Sequence, residues 1–134
     1  MKSKLALIGT VIAISLCLFA CSQAPKQAIV DDSYSGKEVE LGVGGSLTVT
    51  LESNATTGFQ WTEQAVISNQ TVLEQVSHQF EAPADTGMVG APGKEIWTFK
   101  ALKKGKSTVS MEYSQAWEGG EKAAQTFDLT VVVK

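Results

Sequence analysis

Histidine and cysteine are almost missing from this chain: one histidine, His78, and two cysteines, Cys17 and Cys21, in 134 residues. That shortage removes most metal and thiol chemistry at once. No close His/Cys cluster offers zinc-ligand spacing. Glu81 and Asp85 supply too few oxygens for calcium. A lone histidine in a strand-like stretch reads as a polar, outward residue, with His78 paired to some serine the weaker alternative. No cofactor, no metal and no enzymatic activity are therefore expected. A basic stripe is lacking too. Lysine and arginine total 11 against 14 acidic residues, a formal charge of −3, which leaves nucleic acid no electrostatic footprint to bind. Finally, no window carries a sustained 3.6-residue apolar stripe with caps, so an all-helical fold is not expected.

One long apolar run is present, at the N-terminus. Lys2 and Lys4 precede Leu5 to Ala20, the layout of a secretory signal with a positive n-region and an apolar h-region. Leu18-Phe19-Ala20-Cys21 is similar to the lipobox of bacterial lipoproteins. That resemblance implies cleavage before Cys21, acylation of its thiol and new amine, and residence in the bacterial cell envelope. The anchored domain would lie on the periplasmic or outer-membrane side of a Gram-negative cell, and on the outer face of the plasma membrane otherwise. The rival reading is an uncleaved membrane helix, for which the run is about the minimum length. Cys17, inside the run, is a small apolar filler.

Cleavage would remove Lys2 and Lys4 and leave nine lysines against 14 acids, a formal −5. The mature part would keep Cys21 as its sole cysteine and form no internal disulfide, so packing must supply its stability. Ser22 to Gly36 has no apolar periodicity and carries Pro25 and Asp31-Asp32. It reads, with Cys21, as a flexible tether over 21–36, spanning on the order of 20 Å. The folded domain is then expected over 37–134.

Within that domain apolar residues alternate. Lys37–Leu41 reads as a short strand before the turn at Gly42, Gly44 and Gly45. Ser46–Leu51 sends Leu47, Val49 and Leu51 to one face, and Phe59–Val66 resumes after a loop. In Val72–Phe80 the spacing of Val72, Val76 and Phe80 admits a helical turn as well as a strand. Lys94–Leu102 carries Trp97 and Phe99 on one face. Lys103-Lys104-Gly105-Lys106 reads as a basic hairpin turn. Ser107–Tyr113 aligns Val109, Met111 and Tyr113, and Gln125–Val133 aligns Phe127, Leu129, Val131 and Val133. About seven strands in roughly 100 residues predict an all-β, immunoglobulin-like sandwich.

Three loops carry the candidate chemistry. Asn54-Ala55-Thr56-Thr57-Gly58-Phe59 joins two strands with residues that stiffen a backbone. Asn54 can brace a turn through its side chain, Thr56 and Thr57 are restricted at χ1, and Gly58 permits a positive φ. The stretch is either an ordinary connection or a contact surface. Ala82–Gly93, with Pro83, Gly87, Gly90, Pro92 and Gly93, is long for a hairpin, and such loops tend to be functional or disordered. Ser114–Ala124 places Trp117 before Gly119-Gly120, either exposed as a binding anchor or folded back over the core.

Asn54-Ala55-Thr56-Thr57-Gly58-Phe59-Gln60-Trp61 is similar to the Asn-Pro-Thr-Thr-Gly-aromatic-x-Trp signature of the chagasin family of cysteine peptidase inhibitors. Gly90-Ala91-Pro92-Gly93 matches that family's Gly-x-x-Gly motif, with Trp97-Thr98-Phe99 following. Gln115-Ala116-Trp117 lies where the family has Arg-Pro-Trp. The resemblance spans the mature domain. It implies a monomeric, reversible inhibitor whose three loops project from one end and block a papain-like cysteine peptidase. The first loop would cover the catalytic cysteine, the second the non-primed side and the third the primed side. Ala55 in place of proline loosens one φ, and Gln115-Ala116 removes a cation and a rigid residue. The alternative is an envelope lipoprotein that binds a partner through an edge strand or a sheet face.

Overall fold

The computed structural model describes residues 23–84 and 90–134. The signal run, Cys17, Cys21 and Ser22 lie outside the described residues, as do Asp85 and Gly87 of the second loop. Nine strands are described: β1 Gln27–Val30, β2 Lys37–Leu41, β3 Ser46–Ser53, β4 Phe59–Trp61, β5 Val66–Ile67, β6 Leu73–Glu81, β7 Gly93–Ala101, β8 Gly105–Gln115 and β9 Gln125–Val133. One sheet has the order β1-β3-β7-β6. The other runs β2-β9-β8-β4, with β5 also on β8. β1 with β3 and β2 with β9 are parallel, and the remaining pairs are antiparallel.

The period-two pattern is what closes this sandwich. Leu47, Val49 and Leu51 of β3, Trp97 and Phe99 of β7, Val109, Met111 and Tyr113 of β8, and Phe127, Leu129, Val131 and Val133 of β9 all point inward and are buried. A strand's side chains alternate between faces, so one apolar set per strand suffices to fill a core between two sheets. Among the described residues, every buried apolar side chain lies between Val30 and Val133. The described core is therefore carried entirely by the chain after residue 21.

The ordered fold begins earlier than the expected boundary at residue 37. Gln27–Val30 pairs in register with Ser46–Val49, and Val30 is buried. Asp31 then caps a 3-10 turn over Asp32–Tyr34, accepting from the Ser33 N–H at 3.0 Å and the Ser33 hydroxyl at 2.5 Å. Those two bonds hold the exposed Asp31 carboxyl below its ordinary 3.8. A four-residue strand with only Ala28 and Val30 toward the core is too short for a readable period. Its pairing is supplied by the free edge of β3, which lies far along the chain.

Three further expectations shift. Phe59–Val66 is not one strand but β4 and β5, both paired with β8. Val72–Phe80 resolves as strand: a register irregularity between Gln75 and Ser77 turns Val76 outward, and Phe80 is also exposed. The bulge explains the four-residue apolar spacing without a helix. The basic turn is confined to Leu102–Lys104, because Gly105 already pairs with Val133.

Candidate functional site

Register alone brings the three loops together. Ser53 at the end of β3 opposes Gly93 at the start of β7, Glu81 at the end of β6 opposes Lys94, and Phe59 at the start of β4 opposes Gln115 at the end of β8. The loops after β3, β6 and β8 thus leave one pole of the sandwich.

Asn54 organises the first of them. Ala55–Thr57 forms a 3-10 turn with Asn54 as its cap. The Asn54 Oδ1 accepts from the Thr56 N–H at 3.2 Å and the Thr56 hydroxyl at 2.6 Å. Its carbonyl accepts from the Thr57 N–H at 3.2 Å and the Thr57 hydroxyl at 2.7 Å. Its own N–H donates to the Tyr113 phenol oxygen at 2.9 Å, and its Nδ2 donates to the Gly90 carbonyl at 3.1 Å. The last bond ties the first loop to the second. The Thr57 hydroxyl also accepts from the Phe59 N–H at 3.3 Å. Both threonine hydroxyls are engaged within the loop although both residues are exposed, which leaves methyl groups and backbone as the outer surface.

Gly58 closes the turn at φ 77°, donating its N–H to the Ala55 carbonyl at 3.2 Å. That φ is one most residues resist. The Trp117 indole lies against this glycine, half exposed and not folded over the core. The first loop therefore touches both of the others.

Each neighbouring loop is braced in its own way. Gly90 has φ 83°, whereas Gly93 is held by space: a Cβ there would fall 2.5 Å from the Glu81 carbonyl oxygen. Gly93 is the first residue of β7 and Gln115 the last of β8, so both sit at loop bases while Ala91, Pro92 and Ala116 lie beyond them. Gln115 donates its N–H to the Glu121 carbonyl at 2.7 Å and accepts from the Glu121 N–H through Oε1 at 2.9 Å. The Lys122 ammonium donates to the Gln115 carbonyl and, at 3.1 Å, to the Trp117 carbonyl. Ala123, at φ 50°, donates its N–H to the Ser114 hydroxyl at 2.8 Å.

Beneath the first loop lies a support that the sequence did not disclose. Phe59 stacks on Tyr113 with ring centroids 5.3 Å apart, and Trp61 lies 5.1 Å from the same ring. Glu95, buried in β7, accepts the Trp61 N–H through Oε2 at 3.0 Å and meets His78 Nε2 through Oε1 at 2.9 Å. The carboxylate thus bridges the two sheets directly behind the loop. Trp61 Nε1 donates to the Glu52 carbonyl at 3.0 Å, and Trp97 Nε1 donates to the Thr62 and Glu63 carbonyls at 3.2 and 3.1 Å. His78 is accordingly not an outward polar residue: it is half-buried, with its ring 5.0 Å from that of Trp97. Tyr113, Glu95, Glu121 and Lys122 were not among the candidate site residues. Their roles depend on partners distant in sequence, and no local motif marks them.

Two proteins of known name resemble the chain along most of its length. Amoebiasin-2 of Entamoeba histolytica is 28% identical over 111 residues, covering 79% of this chain and 85% of that protein. Chagasin of Trypanosoma cruzi is 27% identical over 108 residues, covering 78% of this chain and 94% of that one. The fold is that of the crystal structure of the cysteine protease inhibitor EhICP2 from Entamoeba histolytica. The two superpose with a TM-score of 0.69 at 23% identity, over 82% of this chain and 99% of the other. The structure of PbICP-C in complex with falcipain-2 matches with a TM-score of 0.57 at 19% identity, over 84% and 92% of the two chains. Residues 40–131 match the model of the chagasin family, peptidase inhibitor I42, and the chain belongs to that family.

Proposed function

We propose that this protein is a reversible inhibitor of papain-like cysteine peptidases, acting as a monomer through the pole formed by its three loops. The observation that carries the reading is the pair of inter-loop contacts: Asn54 to the Gly90 carbonyl, and Gly58 under Trp117. They make a single preorganised wedge of three separate connections, so little ordering cost remains when it enters a cleft.

Resistance to cleavage has a geometric cause. A substrate offers the nucleophile an extended chain with a reachable carbonyl at attack distance. Here the Asn54 and Ala55 carbonyls are turned inward, accepting from Thr57 and Gly58. The exposed Thr56-Thr57-Gly58 backbone occupies space near the thiolate without presenting a scissile bond. Trp117 supplies the aromatic anchor beside it.

The N-terminal signals favour lipid anchoring of this inhibitor. Lys2, Lys4, the run Leu5–Ala20 and the lipobox-like Leu18-Phe19-Ala20-Cys21 support processing at Cys21, acylation there and residence in a bacterial envelope. Mass spectrometry of the protein from its native membrane tests this: acylated Cys21 as the first residue is expected, and an unprocessed N-terminus overturns it.

The inhibitory reading is tested with papain and a cathepsin-L-like enzyme. Competitive, reversible inhibition is expected. Thr57→Arg combined with Trp117→Ala abolishes it while the Trp117→Ala single variant melts like the parent. No inhibition by the parent at micromolar concentration across several such peptidases overturns the proposal.

A further inference from the structure

The pole opposite the loops has a different character. It comprises the start of β1, the turns after β2 and β7, and the end of β9. These are tied by the Gly42 N–H to the Pro25 carbonyl, the Gly44 N–H to the Ala101 carbonyl and the Val43 N–H to the Lys134 carbonyl. Strand register places Lys100 there opposite Ser46 and Lys106 opposite Val132, and Lys26, Lys103, Lys104 and Lys134 complete the group. Six of the nine lysines beyond the signal run therefore share one end of a domain whose formal charge is negative. Glu40 is held by Lys134 at 2.5 Å and Glu38 by Lys106 at 3.7 Å, whereas Lys103 and Lys104 have no ion pair among the described residues. Beside them, Leu102 is 37% exposed at the same turn. Lys26, Lys104 and Lys134 line a cleft of about 370 Å³ with Gln23, Ala24 and Gly42. The first described residue, Gln23, thus sits at this pole, and Cys21 is two positions before it.

We infer that this lysine pole is a docking face for an anionic phospholipid surface, which sets the inhibitory loops pointing away from the membrane. The part of the inference that concerns the anchored protein rests on the acylation of Cys21. β1 starts at Gln27, only six positions after Cys21, so an acyl chain on Cys21 brings this pole against the headgroups. Ammonium groups are attracted to a negative lipid surface within a Debye length, which orients a domain whose acids lie mostly elsewhere. Leu102 between the lysines enters the headgroup layer, as an exposed apolar residue flanked by cations does at an interface. The loops at the far pole then face soluble peptidases unobstructed.

The test uses the chain from residue 21 with Cys21→Ser, which retains every core residue described above and has no lipid. Sedimentation with vesicles is compared for phosphatidylcholine alone and for an equal mixture with phosphatidylglycerol. Binding is expected only to the mixture and is lost at high salt. Lys103→Glu with Lys104→Glu should weaken partition by at least roughly fivefold per lysine while leaving papain inhibition intact. The matched reversal Lys37→Glu with Lys94→Glu should bind as the parent does. Equal binding to both vesicle types, or equal loss in both double variants, overturns the proposal. Release by inorganic phosphate beyond that by chloride at the same ionic strength also overturns it, in favour of a free anion. Acylation of Cys21 is read separately by mass spectrometry, so a missing lipid leaves the vesicle result standing.

Discussion

The Trp117 indole occupies the space where a side chain on Gly58 would begin: a Cβ built on Gly58 falls 2.2 Å from Trp117 Cη2 and 2.4 Å from Cζ3. Gly58→Ala therefore carries two penalties. An L-residue at φ 77° costs roughly 1–2 kcal/mol, and the half-exposed indole must swing away from the wedge. Inhibition constants for papain should rise by about tenfold or more. Trp117→Ala removes a large rigid anchor and should cost about 2 kcal/mol of binding. The combined variant should lose less than the sum of the two, because both act on one contact. Strict additivity in that cycle overturns the coupling of the two loops.

Asn54 can be divided into its functions. Asn54→Ala removes the cap of the 3-10 turn and the bridge to Gly90, and should destabilise the domain by about 1 kcal/mol. Asn54→Asp keeps the acceptor for Thr56 but sets a carboxylate oxygen against the Gly90 carbonyl in place of the Nδ2 donor. It should free the second loop while the first stays formed. Amide exchange checks this: protection at Thr57 and Gly58 persists in Asn54→Asp and falls in Asn54→Ala.

Ala55 opens the turn, and its N–H makes no hydrogen bond to any of the described residues. Asn54 before it lies in the extended region, at φ −107° and ψ 93°, clear of the helical conformation that a following proline disfavours. Ala55→Pro should then fit without strain, raise stability by about 0.4–1 kcal/mol through the unfolded chain, and tighten inhibition. A lower melting temperature in this variant overturns the account of the loop's backbone.

Glu95 holds the strand behind the first loop. Glu95→Ala leaves the buried Trp61 N–H without a partner and should cost about 1–3 kcal/mol in denaturant unfolding. Glu95→Gln retains a carbonyl for that N–H and should recover much of the loss. If the two variants are equally destabilised, the bond to Trp61 is not what Glu95 contributes.

Asp31 introduces a pH dependence at the N-terminal edge. Its carboxyl is held below 3.8 by the Ser33 hydroxyl and N–H. A depressed folded-state value means the contribution is complete above the unfolded value and lost as pH falls through the folded one. Acid titration followed by NMR should loosen Asp31–Tyr34 below pH ~4, and Asp31→Ala should remove that transition.

Alternation alone fixes the long strands, because burial on one face imposes period two on Leu47, Val49 and Leu51 or on Phe127, Leu129, Val131 and Val133. The turn at Gly58 was legible for a similar reason: a positive φ selects glycine locally. What the chain could not reveal from its order was anything made by partners far apart along it. β1 looked like tether because its pairing belongs to β3. Val76 and Phe80 mimicked a helix because a bulge shifted the phase of β6. His78 reads as outward in the sequence because Glu95, seventeen residues on, supplies its partner. The sequence determined which residues form strands and which loops are stiff, since those are local matters of period and dihedral preference. Only the tertiary structure decided that three loops share one pole and most of the lysines the other, because strand register, a long-range property, sets where each connection emerges.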